Sequence, residues 1–384
     1  MKNKKLWFRR VVIFTVGFFI AGCVQERISD LSEENFFIEP ESSELKNDLD
    51  SNGNGNEIFF QEKGVLGKEI GYTSNLYLPI IEIPETLMFC GREYYLPVGD
   101  KGSYDVRYNL RREIVTMSVY SISWILRSGR YLPYIDQVLA EAGLPSDFRY
   151  LPAPESYYNP DAASDYALGL WQHYAGTARI KFKKIDGLTV SPTKKGVDQR
   201  RDFWMQTHQS ARYLDYLINR HDDPMLALAE WNYSKTGRTI VDQGIESFLE
   251  GFFASTEASR FPYKNVASKL IYENWSELIL EKFEKDRLLP LAHYKMIIFT
   301  KGCYLNDLKR ACGIGIKYSD IRILNPQFVS AIYNKKDKDN KIPYGNWTIR
   351  VPADTTILAN FKTNFTKSNK GSIKKDSIEG PFLF

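Results

Sequence analysis

A few short blocks concentrate the side chains that could do chemistry. The first is Leu151-Pro152-Ala153-Pro154-Glu155-Ser156-Tyr157-Tyr158-Asn159-Pro160, where a carboxylate and a hydroxyl are adjacent. Fourteen residues after Glu155 comes Gly169-Leu170-Trp171-Gln172, followed by Ala175-Gly176-Thr177-Ala178. Asp198-Gln199-Arg200-Arg201-Asp202 and Ala227-Leu228-Ala229-Glu230-Trp231-Asn232 complete the set. A carboxyl can give and take a proton, while the Ser156 hydroxyl and the Gln172 and Asn232 amides can orient a polar ligand. Glu155 is one of 47 acidic residues, so the ordered set carries the signal and the Glu-Ser pair alone does not. No Cys/His cluster has metal-ligand spacing, and the histidines (173, 208, 221, 293) are scattered; no metal or organic cofactor is implied.

The elements expected to position these blocks are helices. Ile135, Val138, Leu139 and Ala142 fall at i, i+3, i+4, i+7, one helical face, with Pro133 suited to its first turn and Gly143 and Pro145 to its end. Ala211, Leu214, Leu217 and Ile218 repeat the pattern. Asp223-Pro224 predicts a helix start, Asp as N-cap and Pro at N1, with Met225, Leu228, Ala229 and Trp231 as its apolar positions. Two prolines, 152 and 154, remove backbone donors and should bend or delay a helix at Glu155. After about residue 290 the pattern changes to a strand at Tyr294–Phe299, helices at 305–311 and 319–324, and a closing strand at Trp347–Val351. The fold class expected is therefore mainly α, with a small α+β C-terminal module. Net charge is 51 − 47 = +4 with acids and bases interspersed, which gives no reason to expect nucleic acid as a partner. A mean hydropathy of −0.36 excludes a polytopic membrane protein. The 24 Tyr, 23 Phe and 7 Trp suit a ligand with flat amphipathic faces, such as a sugar, and suit a Tyr-rich core equally well.

In this order the blocks resemble the catalytic domain of lytic transglycosylases with the goose-lysozyme-like fold, and within that family they are similar to the membrane-bound murein transglycosylase D branch. The family pattern is Glu-Ser-x-[Phe/Leu/Tyr]-Asn-Pro, Gly-Leu-Trp-Gln-x-x-x-Gly-Thr-Ala, then Ala-Tyr-Asn-Ala-Gly; the likeness spans roughly residues 110–245 here. The resemblance implies a peptidoglycan substrate. Glu155 would protonate the oxygen between N-acetylmuramic acid and N-acetylglucosamine, with the acetamido group assisting. As a carboxylate it would then take the proton of the muramyl C6 hydroxyl while that oxygen closes onto C1, leaving a 1,6-anhydromuramyl end. Ordinary glycosidases use two carboxylates for such work. A single group acting as acid and then base works best with its pKa raised by burial. Ser156, Gln172, Trp231 and Asn232 would contact or flank substrate. Ser156 serves equally as a helix-backbone partner, Trp171 suits the core better than a sugar platform, and Gly169 and Gly176 allow close backbone approach or a turn. Arg200, Arg201 and Asp202 read as an ion pair or helix start. The chain departs from the family at Trp231 (Tyr), Tyr233-Ser234 (Ala-Gly), His173 (Phe) and Ala175 (Pro). Those departures admit an alternative: a muropeptide-binding lipoprotein of the same fold with weakened or no turnover. A C-terminal stretch containing Thr300-Lys301-Gly302, Leu324-Asn325-Pro326 and Ile349-Arg350-Val351-Pro352 resembles a degenerate LysM module, whose fold binds N-acetylglucosamine polymers.

The N-terminus reads as an address. Lys2, Lys4, Lys5, Arg9 and Arg10 precede an apolar run, Val11–Ala21, too short to span a bilayer. Its end, Ile20-Ala21-Gly22-Cys23, resembles the bacterial lipobox, which implies lipidation of Cys23, a membrane anchored through that lipid, and a protein facing the periplasm in the cell envelope. Val24, which is not Asp, favours the outer membrane by the same likeness. Three thiols remain, and Cys303–Cys312 is a candidate local disulfide, although spacing alone leaves the pairing open. The expected organisation is signal peptide 1–22, flexible acidic tether 23–75, a β-like lead-in segment 76–105, lysozyme-like domain 106–285, LysM-like module 290–362 and flexible tail 363–384.

Overall fold

A computed structural model of the chain describes residues 74–96, 106–164, 166–174, 197–232, 257–328 and 340–382, together with two upstream strands, 44–46 and 57–62. The described residues are mainly α-helical, with small antiparallel sheets. Upstream, β1 (Glu44–Lys46), β2 (Glu57–Glu62) and β3 (Ser74–Pro79) form a three-stranded sheet in that order. This corrects the fully flexible tether: Glu57-Ile58-Phe59-Phe60-Gln61-Glu62 is locally β-prone and finds a partner in Leu76-Tyr77-Leu78. Cys23 and the rest of the N-terminal address lie outside the described residues.

Within the lead-in segment, residues 76–96 are described and carry short strands. Strands β4 (Thr86–Phe89) and β5 (Arg92–Tyr95) meet at Cys90-Gly91, both at positive φ, the backbone that suits a two-residue hairpin turn. This hairpin is fastened to the body. The Cys90 N–H donates to Asp147 at 2.6 Å, and the Tyr94 hydroxyl donates to Asp223 at 3.1 Å.

The helical body comprises α1 (Val106–Ser118), α2 (Ser121–Glu141), the single turn α3 (Pro152–Ser156), α4 (Phe203–His221), α5 (Pro224–Asn232) and α6 (Glu257–Lys282). A small hairpin, β6 (Ala167–Leu168) and β7 (His173–Tyr174), lies between α3 and α4. One continuous core includes Trp124, Leu151, Ala153, Tyr158, Trp171, Leu214, Leu228 and Trp275. Helix α4 buries Ala211, Leu214 and Leu217, the face its periodicity marks. Asp223 caps α5 by accepting from the N–H groups of Met225 and Leu226, as the Asp-Pro pair predicts. Helix α2 differs: it begins twelve residues before Pro133, which lies inside it. An interior proline costs about 3 kcal/mol of helix propensity. Here buried Ile122, Ile125, Tyr131, Leu132 and Ile135 run along the helix on both sides of Pro133, and that packing outweighs the local penalty.

The C-terminal module has its own core around Met296, Ile298, Leu308, Ile321, Phe328, Ile349, Phe361 and Phe365. Central β8 (His293–Thr300) pairs with β11 (Gly345–Pro352) on one edge; β12 (Gly371–Ile373) and β13 (Glu379–Phe382) share the other. Between β8 and β11 lie β9 (Cys303–Tyr304), α7 (Leu305–Cys312), α8 (Tyr318–Leu324) and β10 (Lys341–Ile342). The expected loose tail is structured instead. Helix α9 (Thr355–Lys367) is capped by Asp354 and sends Phe361 and Phe365, one turn apart, fully into the core. The candidate Cys303–Cys312 bridge is not formed, and both are buried free thiols. Cys303 lies in β9, before α7, and Cys312 ends that helix, so α7 runs between the two thiols. Burial pushes the Cys312 thiol up to about 12.

Body and module share a buried ion pair. Arg350 of β11 donates to Asp202 at 2.8 Å, both side chains almost fully enclosed, and the guanidinium lies 4.1 Å over the Trp204 ring.

Candidate active site

Glu155 sits on α3, a helix of one turn. Its prolines do not disrupt it, because the first N–H groups of any helix lack an acceptor, so Pro152 at N1 and Pro154 soon after lose nothing. What ends the turn is unusual. Tyr157 and Tyr158 both adopt left-handed backbone, φ 52° and 55°, a conformation costly for side chains of this size. Burial enforces it: Tyr158 is fully enclosed, stacks on Trp124 and donates from its hydroxyl to the Arg149 carbonyl at 2.6 Å. Arg127 of α2 holds the Tyr157 carbonyl at 3.3 Å. The chain therefore turns sharply after Glu155 and leaves that side chain half-buried.

Ser156 faces the other way. It is buried, and its hydroxyl is within bonding distance of the Pro152 carbonyl (3.3 Å) and the Leu170 carbonyl (2.7 Å). Of its two expected uses, the backbone one is what the structure holds: it ties α3 to the Gly169-Leu170-Trp171-Gln172 block. Gln172, at φ 47°, donates from Nε2 to the carbonyls of Gly169 (2.8 Å) and Ala162 (3.1 Å), and among the described residues its Oε1 accepts no bond. Gly169, at φ 83°, packs so tightly that a Cβ would lie 2.3 Å from the Arg200 carbonyl, so this glycine permits a close approach. Trp171 is core, buried and bonded through its indole to Thr207 at 3.0 Å.

The Ala227–Asn232 block meets Glu155 directly. Trp231, near the end of α5, donates its indole N–H to Glu155 Oε1 at 2.7 Å. Its ring is framed by Tyr213 (5.4 Å between centroids), Trp171 (6.2 Å) and His173 (6.2 Å). His173 is a core histidine and does not titrate near neutrality: burial, with the Arg200 charge adding, lowers its pKa to about 3 against an opposing interaction with Gln209. Asn232, the last residue of α5, is half-buried and, among the described residues, makes no side-chain hydrogen bond. Gly176, Tyr233 and Ser234 lie outside the described residues.

The Asp198–Asp202 block is structural, as expected. Asp198 binds Arg200 through Nε (3.0 Å) and Nη2 (2.7 Å), Arg201 approaches Asp161 at 3.6 Å, and Asp202 caps α4 by accepting from the Met205 N–H. Two supporting groups escaped the sequence reading. Gln206, fully buried on α4, accepts from the Trp171 N–H (3.2 Å) and donates to the Leu168 carbonyl (2.7 Å). Glu230, directly before Trp231, is buried, hydrogen-bonded to His221 and ion-paired with Arg220 (3.3 Å), contacts that fix the end of α5 against α4. A polar residue on an otherwise buried helical face is the signal both gave. Among the described residues no group of His, Cys, Asp and Glu could hold a metal.

No family model matches this chain, and no curated protein matches it.

Proposed function

We propose that this chain is a peptidoglycan lytic transglycosylase with a lysozyme-like body and a LysM-like module, held by a lipid on Cys23 at the periplasmic face of a bacterial envelope. The observation that carries the reading is the Trp231–Glu155 hydrogen bond. It joins blocks 76 residues apart in sequence around one half-buried carboxyl, with the Gly169–Gln172 block fastened behind it by Ser156. An acid fixed in this way can protonate a glycosidic oxygen and then, as a carboxylate, take the C6 hydroxyl proton while O6 closes onto C1. One bond to C1 breaks and another forms, and water is not consumed. Trp231 orients the acid, and Gln172 Oε1 and the Asn232 amide are available to saccharide polar groups.

The test is to incubate the full-length protein, purified in detergent, with purified peptidoglycan and to seek 1,6-anhydromuramyl ends by mass spectrometry. The reading expects them from wild type and not from Glu155→Gln. Binding to peptidoglycan without anhydro ends would replace it with the non-catalytic muropeptide-binding alternative. A fully active Glu155→Gln protein would remove the assigned residue.

A further inference from the structure

The β6–β7 hairpin carries two aromatic rings that the chemistry at Glu155 leaves unused. Tyr166, directly before β6, and Tyr174, ending β7, are 68% and 51% exposed. Their rings are nearly parallel, 9° apart in plane with centroids 6.3 Å apart. A two-stranded hairpin this short cannot hold such an arrangement by itself. It is held from below by a buried cation. Arg200, locked to Asp198, donates from Nη1 to the carbonyl of Tyr166 (3.1 Å) and to that of His173, the residue before Tyr174 (3.3 Å). One guanidinium thus grips both strands at the positions that display the rings. The same hairpin is continuous with the candidate active site. Its turn is the Gly169–Gln172 block, tied to α3 through Ser156, and Tyr174 is four residues from Leu170, at most about 14 Å along the chain.

Exposed rings held rigid at this reach suit a ligand with an apolar face and polar edges, which describes a pyranose. We infer that Tyr166 and Tyr174 form a stacking platform for a sugar ring of a β-1,4-linked N-acetylhexosamine strand, away from the bond at Glu155, with Arg200 and Asp198 as positioning residues. The polymer's identity rests on the transglycosylase reading; the platform's geometry does not.

The test uses the full-length Glu155→Gln protein in detergent, so that turnover cannot interfere, and measures binding of the N-acetylglucosamine tetramer by calorimetry. Tyr166→Ala/Tyr174→Ala in that background should weaken binding about tenfold or more. Tyr166→Phe/Tyr174→Phe, which keeps the rings and drops the hydroxyls, should bind within about twofold of the parent. An unchanged melting temperature for both pairs excludes unfolding as the cause. Equal binding by the Ala pair and the parent overturns the platform, as does a Phe pair as weak as the Ala pair, or a parent that fails to bind the tetramer. Anhydro-end formation by wild type, measured in parallel, separates the two claims. Ring-dependent binding without anhydro ends leaves the platform standing and removes the transglycosylase reading; anhydro ends with ring-independent binding do the reverse.

Discussion

Replacing Asp202 by Ala strikes two interactions at once, and the structure gives each a size. Asp202 Oδ1 caps α4 through the Met205 N–H at 3.2 Å, and losing an N-cap costs about 1 kcal/mol. Oδ2 neutralises Arg350 at 2.8 Å, where the two side chains are 1% and 3% exposed. Removing one partner of such a pair leaves a buried charge and costs about 3–5 kcal/mol. The sum, about 4–6 kcal/mol, is a large part of the stability of an ordinary domain. Asp202→Asn retains an acceptor for the cap and loses the charge, so it should recover only the smaller part. Adding Arg350→Met to Asp202→Asn removes the stranded cation and should restore most of the rest. Urea unfolding followed by tryptophan fluorescence is the assay, because Trp204 lies under the Arg350 guanidinium. An Asp202→Ala loss below about 1 kcal/mol would show that the pair does not hold the module to the body. So would an Asp202→Asn protein as stable as wild type.

Three further outcomes follow from the site. Trp231→Phe keeps a ring among Tyr213, Trp171 and His173 but removes the donor to Glu155; a hydrogen bond to a charged group is worth about 1.5–3 kcal/mol, so anhydro-end formation should fall roughly 10- to 150-fold with the fold intact, and full activity would refute the orienting role. Gly169→Ala forces a Cβ to 2.3 Å from the Arg200 carbonyl at a positive φ, and a loss of about 3 kcal/mol or more in urea unfolding is expected; a neutral effect would mean that the turn relaxes freely. Burial holds His173 and His293 neutral, with pKa values lowered from 6.5 to about 3 and about 4. Below pH 6.5 the unfolded chain binds protons that the folded chain refuses, so this stability is complete above that pH and declines as the pH falls toward 4 and 3. The urea midpoint should drop between pH 7 and pH 5, and NMR resonances of these two rings should not shift over that range.

Local signals made much of the fold legible. The Asp223-Pro224 start of α5, the 211–217 face of α4 and the strand at 293–300 follow from capping, periodicity and apolar runs within a few residues. What failed needed distant partners. Pro133 reads locally as a helix start, because the core on both sides of it is invisible from its neighbours. The Lys, Ser and Gly of the C-terminal tail mask Phe365, whose i, i+4 spacing from Phe361, behind the Asp354 cap and Ile357-Leu358, was the local signal of α9. Glu57–Glu62 looked like tether because its partner strand lies downstream. At the candidate site the residue types were legible and their pairing was not. Nothing near Glu155 announces that its donor is 76 residues away, or that the Ser156 hydroxyl serves the Leu170 carbonyl.

The indole at position 231 also decides how one carboxyl could serve in two protonation states. A phenol can donate to a carboxylate and can turn its oxygen to accept from the acid, so it bonds to either state through either role. An indole N–H only donates. It therefore bonds to a carboxyl oxygen that carries no proton, before and after transfer alike. With Oε1 accepting from the indole, a proton moved by Glu155 under the proposed mechanism would be carried on Oε2 in both directions. The aromatic frame of Trp171, Tyr213 and His173 resists rotation of the indole, and the contacts of Glu230 with Arg220 and His221 hold the end of α5 that carries it. Trp231 is thus compatible with acid-then-base work provided that delivery and recovery of the proton occur on the same side of Glu155. A sugar whose leaving oxygen and C6 hydroxyl lie on one face of the ring meets that demand.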